Sequence, residues 1–114
     1  MSMFGHEEAD KAFQKYGFKA GFLKLIILKL LSKGPRHGYA LMKDIERYTE
    51  MEWEPSPGSI YPALKELEKE GLIVASTSGR RRLYEITPEG EKALKGAIEH
   101  ANVAFHYLQR ILSI

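Results

Sequence analysis

The chain of 114 residues contains no cysteine. Disulfide bonds, thiolate metal sites and cysteine nucleophiles are therefore excluded, and the absence fits the reducing cytoplasm in which we expect the protein to reside. A long apolar run is also missing, because the longest, FLKLIILKLL at 22–31, is interrupted by Lys24 and Lys29 and is about half the length that spans a bilayer. Residues 1–13 are acidic and polar, so we expect no signal peptide and no membrane contact.

Charge of either sign is not in large excess. The chain carries 17 Lys and Arg against 15 Asp and Glu, a formal net charge of +2. Residues 34–87 hold eight basic and nine acidic residues, but the positive charge is concentrated where Arg80, Arg81 and Arg82 follow one another. A local basic site on a nearly neutral body predicts contact with an anion at one place rather than over the whole surface.

The spacing of apolar residues predicts helices over about 7–16, 19–32 and 37–48. An acidic, proline-containing loop follows, and a further helix is expected to begin between Ser56 and Ser59 and to end at Gly71. This start places Ser59 in a capping position and Pro62 in or just beyond the first turn, where backbone amides have no helical partner. Proline is costly only deeper in a helix.

Two short runs rich in β-branched and aromatic residues, LIVASTS at 72–78 and RLYEIT at 82–87, flank the turn SGR and predict an antiparallel hairpin. Thr87 is expected to cap a last helix that has Pro88 at its first position. The fold class is therefore mainly α with a small antiparallel β-hairpin. Helices followed by a hairpin with a basic tip are the order of a winged helix-turn-helix domain.

In a winged helix the helix before the hairpin enters the major groove of DNA, and the hairpin reaches phosphate or the minor groove. Hydroxyl and ammonium groups on the exposed side of that helix are typical of such contacts, as are the arginines at the turn of the hairpin. The residues with this chemistry are Ser56, Ser59, Tyr61, Lys65, Arg80, Arg81 and Arg82.

The segments GPRHGYALMKDIE, SPGSIYPALKELEKEGLI and GRRRLYEITPEGEKAL together resemble the PadR family of transcriptional regulators. The resemblance covers about 25–94, and the combination of motifs is specific whereas each alone is weak. It implies a homodimeric repressor that binds a palindromic DNA operator and needs no cofactor. By position it also implies DNA contacts at Tyr39 and Lys43, on the helix before the recognition helix.

The predicted organisation has three parts: an N-terminal helix at the dimer interface (1–18), a winged helix-turn-helix (19–87) and a C-terminal dimerisation helix (88–114). The last helix carries more apolar residues at three- and four-residue spacing than one helix can bury on a small domain, which favours pairing with a second copy. The expected interface residues are Phe13, Leu94, Ala97, Ile98, Ala101, Phe105, Leu108, Ile111 and Leu112.

Other functions are weighed against this interpretation. His100 and His106 are six residues apart and do not suggest a metal site, and no nucleophile motif suggests an enzyme. Trp53 is expected to pack in the core or at an interface, while a small hydrophobic effector held between aromatic residues of the dimer stays open. The acidic loop is expected to point away from DNA. Two alternatives remain, a winged-helix protein-interaction module and a small-molecule-binding dimer that does not bind an operator.

Overall fold

The structure is a computed structural model that describes residues 18–114. The predicted fold class is confirmed, and the ends of the described helices lie within about two residues of those expected. The predicted N-terminal helix over 7–16, including Phe13, lies outside the described residues. The described elements are, in chain order, α1 (Phe18–Leu31), β1 (Arg36–His37), α2 (Gly38–Tyr48), α3 (Pro57–Lys69), β2 (Ile73–Ser78), β3 (Arg81–Ile86) and α4 (Pro88–Leu112).

The sheet has one strand more than the predicted hairpin. Strands β2 and β3 pair antiparallel from Ile73 opposite Ile86 to Ser78 opposite Arg81, and the turn between them has Gly79 at a φ of 65°. The two residues of β1 pair with the other edge of β3, so the strand order is β1-β3-β2. Two residues are too few to show the alternation by which a strand is recognised in sequence, which is why β1 was not predicted.

The core lies where α1, α2 and α3 meet the inner face of the sheet. The apolar residues spaced three and four apart on each helix are buried, as the periodicity predicts. Aromatic and β-branched residues of β2 and β3 close the core from the sheet side. The most buried core residues are Leu23, Ile27, Leu31, Leu41, Ile45, Ile60, Leu64, Leu67 and Ile73.

Helix α3 begins where the sequence predicts, with Ser56 in extended conformation before Pro57. The prediction that Ser59 occupies the capping position is wrong. Proline suits the first helical position because its fixed φ is helical and its missing amide would be unpaired there, so Ser56 precedes the helix and Ser59 lies in its first turn. Pro62 is the sixth helical residue, so α3 lacks only the bond from that position to the carbonyl of Gly58, an exposed residue.

Helix α4 is anchored at its start and exposed at its end. Thr87 caps it as predicted, since its side chain accepts the Gly90 amide at 3.0 Å and donates to the Gly71 carbonyl at 2.7 Å. Gly90 packs so closely on the Leu72 carbonyl that a Cβ would collide with it. Beyond the half-buried Ala101 every residue of α4 is exposed. In the described ranges no helix combines the length and apolarity needed to cross a bilayer.

Candidate nucleic-acid interface

A groove of about 470 Å³ runs between the hairpin and the starts of α2 and α3. It contains five of the nine residues predicted to contact DNA, from three separate segments of the chain. We call it the wing groove, and it is lined by His37, Gly38, Tyr39, Tyr61, Arg80, Arg81, Arg82 and Tyr84. Its charged side chains are all cationic, and its tyrosines add hydroxyl groups that can donate to phosphate oxygens.

The wing groove depends on a close approach between α2 and α3. A Cβ on Gly38 would lie 2.6 Å from Cε1 of Tyr61, so only glycine lets the tyrosine ring lie against the first turn of α2. The ring is thereby held with 43% of its residue surface exposed, beside Tyr39 at 61%. Because α2 begins in the wing groove, the positive end of its dipole adds to the arginine charge there and favours an anion.

The three arginines of the wing differ in their partners. Arg82 donates to Oε1 of Glu68 on α3 at 2.8 Å, and its guanidinium lies 6.0 Å from the ring centroid of Tyr84. Its backbone carbonyl accepts Nδ1–H of His37 at 3.0 Å. Arg80 and Arg81 are exposed and form no ion pair within the described part of the chain. Arg82 therefore attaches the wing to α3, and Arg80 and Arg81 keep their charge available for a ligand.

Lys43 is also engaged by acidic residues. Its ammonium lies 3.1 Å from Oε2 of Glu54, 3.8 Å from Oε1 of Glu46 and 5.6 Å from the ring centroid of Tyr39. Hydrogen bonding to Glu54, with the charge of Glu46, raises the pKa of Lys43, while hydrogen bonds with Glu46 and Lys43 lower the pKa of Glu54. Glu54 belongs to the acidic loop, so this loop partly neutralises a predicted DNA contact. That the loop points away from DNA stays a prediction.

The three remaining predicted contacts lie outside the lining of the wing groove, Ser56 directly before α3 and Ser59 and Lys65 on it. Ser56 and Lys65 are exposed and Ser59 is half-buried, with the two serine hydroxyls 3.1 Å apart. In a winged helix this is the helix that would enter the major groove. The role of these residues as base or phosphate contacts stays a prediction.

Sequence reasoning missed the acidic and histidine side chains that hold this surface in place. Glu68 is fourteen residues from Arg82, and His37 is forty-five residues from it, so neither pairing follows from local spacing. Asp44 is buried, with its carboxylate 3.1 Å from Nε of Arg36 and 2.9 Å from an Nη of Arg47. The sequence signal for this pairing was the position of Asp44 at helical spacing from the apolar Leu41 and Tyr48, because an acidic group on a buried helix face is normally paired.

The predicted interface residues of α4 divide into two groups. Leu94 is buried in the core of its own chain, Ile98 packs against that core, and Ala97 and Ala101 are half-buried. The remaining four expose between 48% and 74% of their surface. They are Phe105, Leu108, Ile111 and Leu112. In the part of the chain that is described, no cluster of three or more His, Asp or Glu side chains could hold a metal ion.

The order of helices, the cationic wing groove and the exposed α3 define the chain as a winged helix of the kind found in regulators that bind DNA. The model of the Transcriptional regulator PadR-like family matches residues 27–96. The chain therefore belongs to the PadR-like family of transcriptional regulators. Membership of this family confirms the prediction that it is not an enzyme.

Individual relatives agree with this placement. "Transcriptional regulator YqjI" of Escherichia coli is 39% identical over 79 residues, which are 68% of this chain and 38% of that protein. "Negative transcriptional regulator PadR" of Bacillus subtilis is 32% identical over 77 residues, 63% of this chain and 42% of that one. The chain thus corresponds to about two fifths of the length of each. A transcriptional regulator from Clostridium thermocellum has a similar structure, with a TM-score of 0.76, 32% identity and coverage of 79% and 89% of the two chains.

Proposed function

We propose that the protein is a sequence-specific DNA-binding repressor that binds a palindromic operator as a homodimer. The observation that carries the proposal is the wing groove, where unpaired arginines, tyrosine hydroxyls and the start of α2 converge beside the exposed first turn of α3. Each of these groups favours phosphate, and together they match the place where a winged helix meets the DNA backbone. The word "negative" in the name of the Bacillus relative supports repression rather than activation.

The distal half of α4 supports the homodimer. Phe105, Leu108, Ile111 and Leu112 are exposed and lie on one side of the helix, so a second copy of the same helix would cover them in a self-complementary interface. Two recognition helices about 34 Å apart, one turn of B-DNA, would then read two half-sites of a palindrome. In this arrangement residues 88–114 pair the subunits, and the winged helix over 19–87 binds DNA.

The proposal is tested by selecting duplexes from a random DNA library and measuring affinity by fluorescence anisotropy at several salt concentrations. Binding should weaken steeply with salt because phosphate contacts release counterions. The double variant Arg80→Ala with Arg81→Ala should lower the salt slope by about four units, because each subunit of the dimer loses two phosphate contacts. Lys92→Ala with Lys95→Ala on α4 removes the same charge away from the wing groove and should leave the slope nearly unchanged.

Selection that recovers no preferred sequence would refute operator recognition and favour a winged-helix protein-interaction module. Equal affinities and salt slopes for the wild type and the Arg80, Arg81 variant would refute the role of the wing. Tight binding of a small hydrophobic ligand without any change in DNA affinity would favour the small-molecule-binding dimer, because an effector and DNA must influence each other equally.

A further inference from the structure

A second pocket, of about 380 Å³, lies between the C-terminal ends of α1 and α2. It shares no lining residue with the wing groove. Its volume falls within the range of about 300–1,000 Å³ that is usual for small-molecule sites. We call it the α1–α2 pocket, and it is lined by Ile26, Lys29, Leu30, Lys33, Ile45, Tyr48 and Thr49.

The walls of the α1–α2 pocket are apolar. Ile26 and Leu30 come from α1, and Ile45 and the ring of Tyr48 from α2. The first three also pack in or against the hydrophobic core, so they form a fixed surface rather than a set of mobile side chains. Aliphatic walls of this kind favour a ligand with an alkyl body, because contact removes apolar surface of both partners from water.

The charged groups of the pocket are both positive. Lys29 lies in the last turn of α1 and Lys33 in the turn directly after the helix, and both are exposed. Neither has an ion pair with any carboxylate of the described chain, whereas Lys24 on the same helix contacts both Glu66 and Glu70. Among the residues that the structure describes, no acidic side chain lines the pocket. A lysine in the last turn of a helix also interacts favourably with the helix dipole when no ligand is bound. A neutral analogue of the ligand is therefore needed to show that the lysines bind its negative charge.

The pocket borders the loop that leads into the recognition helix. Oγ1 of Thr49 donates to the Ile45 carbonyl at 2.8 Å and accepts the Trp53 amide at 3.1 Å. Glu50 and Met51, which follow, have φ of 54° and 66°, values that non-glycine residues adopt at an energetic cost. A ligand in the pocket would therefore contact Thr49, the residue that fixes the start of this strained loop.

We propose that the α1–α2 pocket binds a small amphipathic monoanion with an alkyl body. Its chain lies against Ile26, Leu30 and Ile45, and its carboxylate lies between the ammonium groups of Lys29 and Lys33. The inference is independent of the DNA-binding proposal, and the pocket is distinct from an effector site between aromatic residues of a dimer.

The test is a titration of the full chain, labelled at its isoleucine and leucine methyl groups, with octanoate followed by NMR. We expect saturable shifts centred on Ile26, Leu30 and Ile45. Octan-1-ol, which has the same chain without the charge, should bind at least tenfold more weakly, and octylammonium should leave these methyl groups unshifted. Affinity for octanoate should fall as salt is raised, because the lysines are exposed.

Two variants separate the charge from the cavity. Lys29→Gln with Lys33→Gln should weaken the binding of octanoate at least tenfold and leave the binding of octanol unchanged. Lys92→Gln with Lys95→Gln, which removes an equal charge from α4, should change neither affinity. Leu30→Trp should fill the pocket and abolish the methyl shifts caused by octanoate and by octanol. An unchanged thermal melt would show that the fold is retained.

Three results would overturn the proposal. One is the absence of shifts at the pocket methyl groups, which is also the result expected if residues 1–17 or a second copy of the chain occupy the pocket. Another is shifts confined to Leu108 and Ile111 of α4. The third is equal affinity for octanoate and octylammonium. None of them bears on the wing groove, so each is distinguishable from a failure of DNA binding.

Discussion

Two exposed surfaces of the molecule differ in the partner that they require. The wing groove presents arginines and tyrosine hydroxyls, and its walls come from three segments of the chain. The distal half of α4 presents apolar side chains from one continuous helix. The distal half of α4 lies outside the core of the monomer, because the buried cluster ends at Leu94, whereas Tyr84 of the wing groove belongs to that cluster.

The difference in chemistry implies a difference in response to salt. Association through exposed arginines weakens steeply as ionic strength rises. The charges are screened, and releasing counterions from DNA gains less free energy when the salt concentration is already high. Association through apolar residues is nearly insensitive to moderate salt. Variants of the two surfaces should therefore separate dimer formation from phosphate contact, although both would weaken operator binding.

The largest effect is expected from the double variant Leu108→Glu with Ile111→Glu. Four like charges would face one another in the proposed interface, so the dimer should dissociate while the winged helix stays folded. Operator affinity should fall on the order of 100-fold, because the two half-sites are no longer bound by linked subunits. Sedimentation gives the mass, and anisotropy gives the affinity.

The matched control places the same charges on the side opposite Leu108 and Ile111, at His106 in α4 and at Ser113 directly after it. His106→Glu with Ser113→Glu should remain dimeric and retain operator affinity. Dissociation of both double variants would mean that charge on α4, rather than loss of its apolar face, causes the effect. A Leu108, Ile111 variant that stays dimeric would refute this interface.

A smaller effect is expected from Gly38→Ala in the wing groove. The new methyl group would displace the ring of Tyr61 and should lower operator affinity about tenfold, with dimerisation unchanged. Gly96→Ala is the comparison, because a Cβ there meets nothing within 4 Å, and it should raise the free energy of unfolding by roughly 0.5–1 kcal/mol. Unaltered DNA affinity in Gly38→Ala would show that the position of Tyr61 is not needed.

The paired and unpaired arginines of the wing should differ in their salt dependence. Arg80→Ala should lower the salt slope by about two units, one for each subunit of the dimer, whereas Arg82→Ala should lower it by much less, because Glu68 already balances its charge. In a double-mutant cycle without DNA, the exposed Arg82–Glu68 pair should contribute roughly 0.2–1 kcal/mol to stability. Equal slopes for the two single variants would mean that Arg82 leaves Glu68 when DNA binds.

The smallest effect on DNA affinity, and the only increase in it, is expected from Glu54→Gln. The pKa of Glu54 is lowered from its ordinary value of 4.5, so its pair with Lys43 is intact at neutral pH and is lost only as pH falls through that lowered pKa. The amide should free Lys43 and raise DNA affinity about twofold, with a steeper salt dependence. Glu52→Gln, a neighbouring loop variant, should have less effect, and equal gains from both would indicate general repulsion by the acidic loop.

Features that depend on contacts between residues close together in sequence were predictable, whereas features that depend on distant contacts were not. Pro57 and Thr87 mark the starts of α3 and α4 through contacts within one turn, so both starts were predictable. Strand β1 forms only because β3, more than forty residues later, offers a free edge. Ser56 rather than Ser59 precedes α3 because proline prefers the first helical position, which Pro57 occupies.

The sequence predicted residues of the candidate site but not the ion pairs that these residues form. Arg80, Arg81 and Arg82 are equivalent in sequence, and the structure distinguishes them by the direction of each side chain at the end of the hairpin. Lys43 reads as a free cation on a helix surface, yet the fold of the acidic loop brings Glu54 within 3.1 Å of it. Such pairings depend on how a loop returns to a helix, for which local spacing carries no signal.

The helices, the hairpin, the late start of α3 and the family could be predicted from the sequence alone, because these depend on residues close together in the chain. Only the folded chain shows which cations lack an ion pair among the described residues, where the wing groove and the α1–α2 pocket lie, and which half of α4 is covered. These features depend on the packing of elements far apart in sequence. The apolar spacing of α4 is the same along its length, but only the position of the core determines that Leu94 is buried and Leu108 exposed.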